Sequence, residues 1–389
     1  MNHPTFAEVR RVNQRLGLSL LSIDGVQAAG FGFMEPSDPE LGPAIVVFSE
    51  DEPEESVDAV YRDVARALGD VPFRVVAAGA MAVPASREPG DTYATEAETG
   101  YSSRVRPVRP GYSIGIDGVA THNNTRYTTQ GTAGLIVMDD LGSKYILSNA
   151  HILAPANFDA AQLGIVRQPG RSLGDDTIIG STEMSILIEA FPKLQDFDAA
   201  ICAVQDQAML DVRYGAQEPR GILVRGVHAY ASLNWQMKKS SLSTGDTGYL
   251  KDELPAYVAA IETFQKVDYR ILDSGDVNWP GNPGVVVFFN GVVVASRARI
   301  SAAGDSGSVW LKREDDKATL LTIAGSEGGG MSFCTLVEPV LRRFDVSVPV
   351  TPLRPIDGES RLFRDPRIST RFVTDEEVSR ISVVRFRSE

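Results

Sequence analysis

The sequence predicts a mostly β protein, a body of short strands arranged as a barrel or sandwich rather than a βαβ fold, preceded by a small α+β domain. Three observations lead there. The two long helical periodicities of apolar residues both fall before residue 70. From residue 111 to 348 the apolar residues come instead in short runs broken by Gly, Asn, Asp and Ser, the punctuation of strands and tight turns. Between these regions, Pro84 to Pro110 is rich in proline, glycine and polar residues with no period of either kind, which marks a linker. A chain of 389 residues fits two or three domains: an α+β domain over 1–85, the linker over 86–110, the β body over 111–348 and a tail over 349–389.

Thr5-Phe-Ala-Glu8 matches a capping box. Phe6, Val9, Val12 and Leu16 follow at near-helical spacing, and Gly17 offers a stop. Strand-like runs at Val26 to Met34 and Ala44 to Phe48 precede the acidic run Glu50-Asp-Glu52 with Glu54 and Glu55. Negative charge there favours the positive end of the next helix, carried by Val57, Val60, Tyr61, Val64 and Leu68 and followed by Gly69. The acidic run reads as a solvated helix start rather than a cation site. Val71 to Val83 closes an α-β-β-α-β unit, enough for two layers. It shows no catalytic constellation and reads as structural or regulatory.

In the body, Gly131 to Val137 and Lys144 to Ser148 flank Met138 to Ser143 and read as a hairpin delivering His151. Gly164 to Pro169, Thr177 to Gly180 and Asp198 to Val204 suggest further strands, and Val224 to Leu233 is the best strand within 205–240. Ser243 to Leu250 has hairpin punctuation, and Val285 to Val294 reads as two apolar arms around an Asn290-Gly291 hairpin turn. Leu320 to Ala324 and Phe333 to Val337 supply strands, and Glu338 to Phe344 a closing helix. The tail ends in the strand-like Ile381-Ser-Val-Val-Arg-Phe, suited to pairing with a sheet edge of this chain or of a second copy.

Composition is that of a globular protein, 43% hydrophobic and 23% charged. A net charge of −13 argues against nucleic-acid binding, which needs clustered Lys and Arg. Charged residues among Glu8, Arg10, Arg11 and Arg15 interrupt any signal-peptide core, and no run approaches the roughly 20 apolar residues of a membrane span. The only cysteines, Cys202 and Cys334, read as buried free thiols, which fits a reducing, cytoplasmic setting. No cofactor or metal is called for.

The chemistry centres on Gly304-Asp-Ser-Gly-Ser308. Glycine on each side lets the chain turn tightly around Ser306 and present its hydroxyl, which is a weak nucleophile without an adjacent base. Upstream lie Tyr145-Ile-Leu-Ser-Asn-Ala-His151 and Asp196-Phe-Asp198-Ala-Ala-Ile. Of His3, His122, His151 and His228, only His151 follows a continuous strand-like run. Hydroxyl, imidazole and carboxylate are the parts of a serine triad. Each has a bland reading: Gly-Asp-Ser-Gly is a serviceable surface turn, and His151 could simply end a buried strand. Asp196 competes with Asp198.

The order His, Asp, Ser, with gaps of 47 residues (151 to 198) and 108 residues (198 to 306), resembles the chymotrypsin-fold serine peptidases over roughly Gly111 to Phe344. That resemblance implies two six-stranded antiparallel barrels, about 111–204 and 205–348, with His151, Asp198 and Ser306 as the triad. It prefers Asp198 for the small and apolar residues that follow it. The backbone N–H groups of Gly304 and Ser306 would form the oxyanion hole. Ile300 stands where trypsin-like members carry a pocket-base aspartate, which implies an apolar or small side chain in the pocket. Ala324, Gly325 and Ser326 stand in for the strand that pairs with substrate backbone. Asp305 lacks the Ile-Val-Gly-Gly amino terminus of zymogen-activated members and reads as a turn stabiliser. The amino-terminal module, Ser148-Asn-Ala-His151 and Gln168-Pro-Gly170 look similar to bacterial trypsin-like proteins and to the plant narrow-leaf proteases.

The function expected is an intracellular serine endopeptidase acting on protein or peptide substrates, restrained by its amino-terminal domain or by homo-oligomer assembly. Arg104, Arg106 and Arg109 are expected as exposed cleavage points. A catalytically silent peptide-binding or scaffolding protein is the competing class. The same triad also serves esterases and acyl transferases, but the α/β-hydrolase form places histidine last and needs Gly-x-Ser-x-Gly, which Ser308 breaks.

Overall fold

The computed structural model describes residues 4–50, 54–79, 81–82, 100–119, 126–154, 165–170, 175–215, 221–249, 254–269, 284–326, 328–349 and 370–372. Helix α1, Phe6–Leu20, starts at Thr5, whose hydroxyl accepts from Glu8 N (3.3 Å) while the Glu8 carboxylate accepts from Thr5 N (2.7 Å). It runs past Gly17, the expected stop. Glycine serves packing there, since a Cβ would lie 2.7 Å from the Phe264 ring. Helix α2, Glu54–Leu68, does end at its glycine: Gly69 takes φ +61°. Strands β1, Val26–Phe33, and β2, Pro43–Ser49, are antiparallel, and β3, Phe73–Ala77, runs parallel to β2. Val9, Leu20, Ile45, Val47, Val64 and Phe73 are buried together between this sheet and the helices.

The next sheet contains β4 (Ser113–Val119), β5 (Gly131–Thr132), β6 (Leu135–Met138), β7 (Lys144–Ser148), β8 (Ile165–Arg167), β9 (Ile178–Ser185) and β10 (Ala200–Val204), with the short helix α3 (Ala150–Leu153) after β7. Its order is Arg126–Thr128, β4, β8, β9, β10, β7, β6. β5 pairs with β4, and the chain then passes Ala133 and Gly134 into β6 at the far edge, so one stretch touches both ends of the sheet.

The second sheet contains β11 (Gln236–Ser241), β12 (Ala256–Asp268), β13 (Val285–Ala295), β14 (Val309–Lys312), β15 (Ala318–Ser326) and β16 (Met331–Leu336), followed by α4 (Val337–Phe344). These six strands close into an antiparallel ring in the order β11, β12, β13, β16, β15, β14. The chain is thus mostly β, with one sheet a ring and the other a half-barrel. β1 pairs antiparallel with β12, so the amino-terminal strands extend the sheet to which the ring belongs. One buried cluster joins the two halves: Ile114, Ile146, Ile152 and Val166 from the half-barrel pack with Val267, Phe288 and Ile323 from the ring.

Several expectations are corrected. Asn290-Gly291 is no hairpin turn: β13 runs through it against β12, with Thr263 opposite Gly291 and register shifts on either side. Asn290 takes φ +55°, and Asn-Gly meets the positive-φ demand of a bulge as readily as that of a tight turn. Val224 to Leu233 is not a strand, since Gly226 sits at φ +133° and Val227 makes only an isolated bridge to Ala318. The Gly245–Thr247 arm does pair back on β11 as expected.

The end of the linker is docked rather than exposed. Val108 N donates to Met209 O (2.6 Å), Asp211 N donates to Val108 O (2.9 Å), and Arg109 Nε pairs with Asp211 at 2.8 Å. Arg106 bonds Gln168 and its neighbour's carbonyl, and Arg104 pairs with Asp176. A protease needs extended, accessible backbone, which the docked Val108–Arg109 stretch does not present; Arg104, by contrast, is exposed. In the tail, Thr370–Phe372 pairs antiparallel with Lys193–Gln195; Ile381 to Phe386 lie outside the described residues. Cys202 and Cys334 are buried and free, on different sheets. No helix among the described residues is long and apolar enough to cross a membrane.

Candidate active site

β7 and β10 are neighbours, with Ser148 opposite Ala200. Continuing that antiparallel register beyond both strands sets Asn149–His151 beside Asp198. The chain leaves β7 through Asn149, extended at φ −78° and ψ 154°, and enters α3. His151 N donates to Asp198 Oδ1 (3.1 Å), Asn149 Nδ2 donates to Asp198 O (2.6 Å), and His151 Nδ1 hydrogen-bonds Asp198 Oδ2. Asp198 is fully buried and His151 is 8% exposed. It is therefore Asp198, not Asp196, whose carboxylate faces the imidazole. Asp196 instead offers its carbonyl to the Thr335 hydroxyl, at 3.3 Å.

A second donor reaches the same carboxylate from the ring. Tyr269 directly follows β12, and its hydroxyl donates to Asp198 Oδ2 at 2.7 Å. Its ring stands edge-on to His151, with centroids 5.9 Å apart.

Ser306 arrives between β13 and β14. Gly304 at φ +96° and Gly307 at φ +85° turn the chain around it, in a region that residues with a Cβ enter rarely. A Cβ at Gly307 would overlap the Ser148 hydroxyl and lie 3.3 Å from Asn149 N, and one at Gly131 would lie 2.9 Å from Ser306 O. Thr132 N donates to Ser306 O at 2.8 Å. The serine loop is thus seated on the strand end that leads into α3 and His151. Ser306 Oγ donates to Ile323 O at 3.1 Å, while the buried His151 Nε2 has no hydrogen-bond partner among the described residues. The serine–histidine bond expected from the sequence is not made in this structure. One torsion, χ1, separates the observed hydroxyl position from its staggered alternatives.

The N–H groups of Asp305, Gly307 and Ser308 donate to Ala302, Thr322 and Asp305 at 3.0, 3.1 and 2.9 Å. Those of Gly304 and Ser306 have no acceptor among the described residues. This loop is held by the Asp305 carboxylate, which accepts five hydrogen bonds. Oδ2 takes Lys239 Nζ (2.9 Å), Thr244 Oγ1 (2.7 Å) and Ala302 N (3.1 Å), and Oδ1 takes Ser243 N (3.0 Å) and Thr244 N (3.1 Å). Both charged side chains are fully buried, and the ammonium lies 5.1 Å from the Trp310 ring centroid. Burial pushes the Asp305 carboxyl up, but the charge of Lys239 and the bonds from Thr244 and Lys239 outweigh it and hold the pKa below the ordinary carboxylate value.

The residues assigned to substrate lie differently. Ile300 is fully buried among Met237, Val258 and Trp310. β15 pairs with β16 through Ala324 opposite Phe333 and Gly325 opposite Ser332. Gly325 and Ser326 also pair antiparallel with Ala82 and Met81. The edge assigned to substrate backbone therefore carries a strand of the chain itself.

Lys239 and Tyr269 were not found by sequence reasoning. Lys239 had a signal: period two puts it on the same face of β11 as the buried Met237. Tyr269 had none, being placed by sheet pairing alone.

No protein-family model matches the chain, and no curated protein does. Solved structures similar to it include protease A of Thermobifida fusca (14% identity, TM-score 0.40, covering 62% of this chain and 97% of that one). A chymotrypsin of Cellulomonas bogoriensis aligns at 16% identity and TM-score 0.38 over 63% and 99%. A Nocardiopsis protease aligns at 18% and 0.36 over 60% and 97%. Among the described residues, this chain brings together a buried carboxylate–imidazole pair whose second ring nitrogen has no partner and a serine loop two of whose N–H groups have no acceptor.

Proposed function

We propose that the chain is an intracellular serine endopeptidase with His151, Asp198 and Ser306 as its triad. The buried Asp198–His151 pair, which follows the strand end that seats the serine loop, is the observation that carries this reading. The mechanism requires that rotation of Ser306 about χ1 carry the hydroxyl from Ile323 O to His151 Nε2. As Oγ bonds the substrate carbonyl carbon, its proton passes to Nε2 and the carbonyl π pair moves onto oxygen, where Gly304 N and Ser306 N donate. Collapse breaks the C–N bond, and the proton on Nε2 goes to the departing amine. Water then repeats the sequence on the acyl-enzyme. Asp198 holds the ring and favours the imidazolium without taking its proton.

Lys239 does for Asp305 what a cleaved amino terminus does in zymogen-activated peptidases, so the reading needs no amino-terminal processing. The Met81–Ala82 strand on the Gly325–Ser326 edge supports restraint by the amino-terminal region. The unpaired, buried thiols support a reducing compartment. Burial pushes both thiols up, Cys334 to about 11, which keeps them protonated and unreactive.

A second reading, a peptide-binding protein without turnover, is favoured by the Ser306 hydroxyl's bond to Ile323 O in place of one to His151. Hydrolysis of a peptide library separates the two. The peptidase cleaves, and both Ser306→Ala and His151→Ala abolish cleavage; binding of uncut peptides unaffected by Ser306→Ala supports the second.

A further inference from the structure

Resting on that peptidase reading, we propose that Tyr269 is a positioning residue for the Asp198–His151 pair: its phenol fixes Asp198 Oδ2 from the opposite sheet and sets how strongly the carboxylate supports the imidazolium. Asp198 is fully buried, and its described hydrogen-bond donors are His151 N on Oδ1 and His151 Nδ1 with Tyr269 Oη on Oδ2. A carboxylate withdrawn from water depends on such donors, and Oδ2 shares its charge between an imidazole and a phenol. Tyr269 is itself pinned: its N donates to Gly284 O at 3.0 Å, and its ring packs between His151 and Phe288 at centroid distances of 5.9 and 6.4 Å. The hydroxyl is therefore presented by a rigid strand end and not by a free rotor.

The titratable groups bonded to Asp198 are His151 on α3 and Tyr269 after β12, and no Lys or Arg pairs with it among the described residues. Burial first, then the Asp198 charge and hydrogen bond, raise the Tyr269 pKa well above the ordinary phenol value, so it stays a donor wherever the imidazole titrates. Withdrawing its proton from Oδ2 leaves the carboxylate more basic, which favours the charged imidazole. A stronger phenol donor does the reverse. The arrangement joins the two sheets at the triad, because the carboxylate precedes β10 and the phenol follows β12.

The test is an NMR titration of the His151 ring in 15N-histidine-labelled full-length protein, assigned by His151→Ala among the four histidines. It reads protonation directly and needs no turnover. Tyr269→Phe is expected to move the His151 midpoint up by roughly half to one pH unit, and 3-fluorotyrosine at 269, a stronger donor of nearly the same shape, to move it down. The acid limb of kcat/KM for peptide hydrolysis shifts in the same directions. A merely structural tyrosine changes thermal stability and leaves both midpoints where they are. An unmoved midpoint in the fluorotyrosine protein overturns the proposal, whether or not Tyr269→Phe folds. Absence of hydrolysis with the midpoints moved as expected overturns the peptidase reading and leaves the role of Tyr269 standing.

Discussion

Replacing Lys239 by Met tests how the serine loop is held. The substitution keeps most of the side-chain volume and removes the cation paired with the fully buried Asp305 carboxylate. Breaking a buried pair by taking one partner costs about 3–5 kcal/mol. Two features of the site place this case near the lower end. Asp305 keeps four other donors, from Ala302, Ser243 and Thr244. It can also take up a proton, which from an ordinary value near 4 costs about 4 kcal/mol at pH 7 and caps the penalty. A loss of about 3 kcal/mol corresponds to a fall in Tm of roughly 6–12 °C for a body of this size. In the proposed mechanism, relaxation of the Ala302–Ser306 turn also moves the Gly304 and Ser306 N–H donors, and losing one such donor costs roughly 10²–10³ in rate. The assay is urea unfolding together with peptide hydrolysis in Lys239→Met, Asp305→Asn and the double variant. The double variant, with no buried charge, is expected to recover most of the stability lost by Lys239→Met. Stability of Lys239→Met within about 1 kcal/mol of the parent, or a double variant no better than the single, would mean that the buried pair does not hold the loop.

Three further outcomes are expected. Asp198→Asn leaves the fold intact but lowers kcat by roughly 10⁴-fold, because the amide no longer holds the productive tautomer of His151; a loss under tenfold contradicts the assignment. Ala82→Pro, which obstructs pairing of Met81–Ala82 with Gly325–Ser326, raises kcat/KM for extended peptides and leaves reaction with a small fluorophosphonate unchanged; equal peptide rates remove the restraint. Because the folded Asp305 carboxyl sits below its unfolded value, its stabilisation is present above about pH 4 and is lost as pH falls through the folded value. Urea midpoints should therefore fall less steeply below pH 4 in the Lys239→Met/Asp305→Asn variant than in the parent, and parallel curves contradict this.

What could be read from the sequence was local. Thr5 and Glu8 cap α1 because both halves of the motif lie within one turn, and His151 follows a strand whose apolar run is unbroken. Asp198 could be preferred over Asp196 only by likeness to a family; the cross-strand step from Ser148 to Ala200 supplies the physical reason. Non-local placement was hidden. Tyr269 reaches Asp198 only because two sheets share a core, and Met81–Ala82 finds its edge across more than 240 residues of chain, from 82 to 325. Asn290-Gly291 misled because a positive φ has two structural uses, and only the partner strand decides between them. Gly17 misled similarly: the glycine answers to the Phe264 ring rather than to a helix end.

The peptidase reading stands on Ser306 being a nucleophile activated by His151. Incubation of the full-length protein with a fluorophosphonate, followed by peptide mapping by mass spectrometry, tests it most directly. A single adduct is expected on Ser306, absent in His151→Ala; an unmodified Ser306, or one modified equally well without His151, rules out that activation.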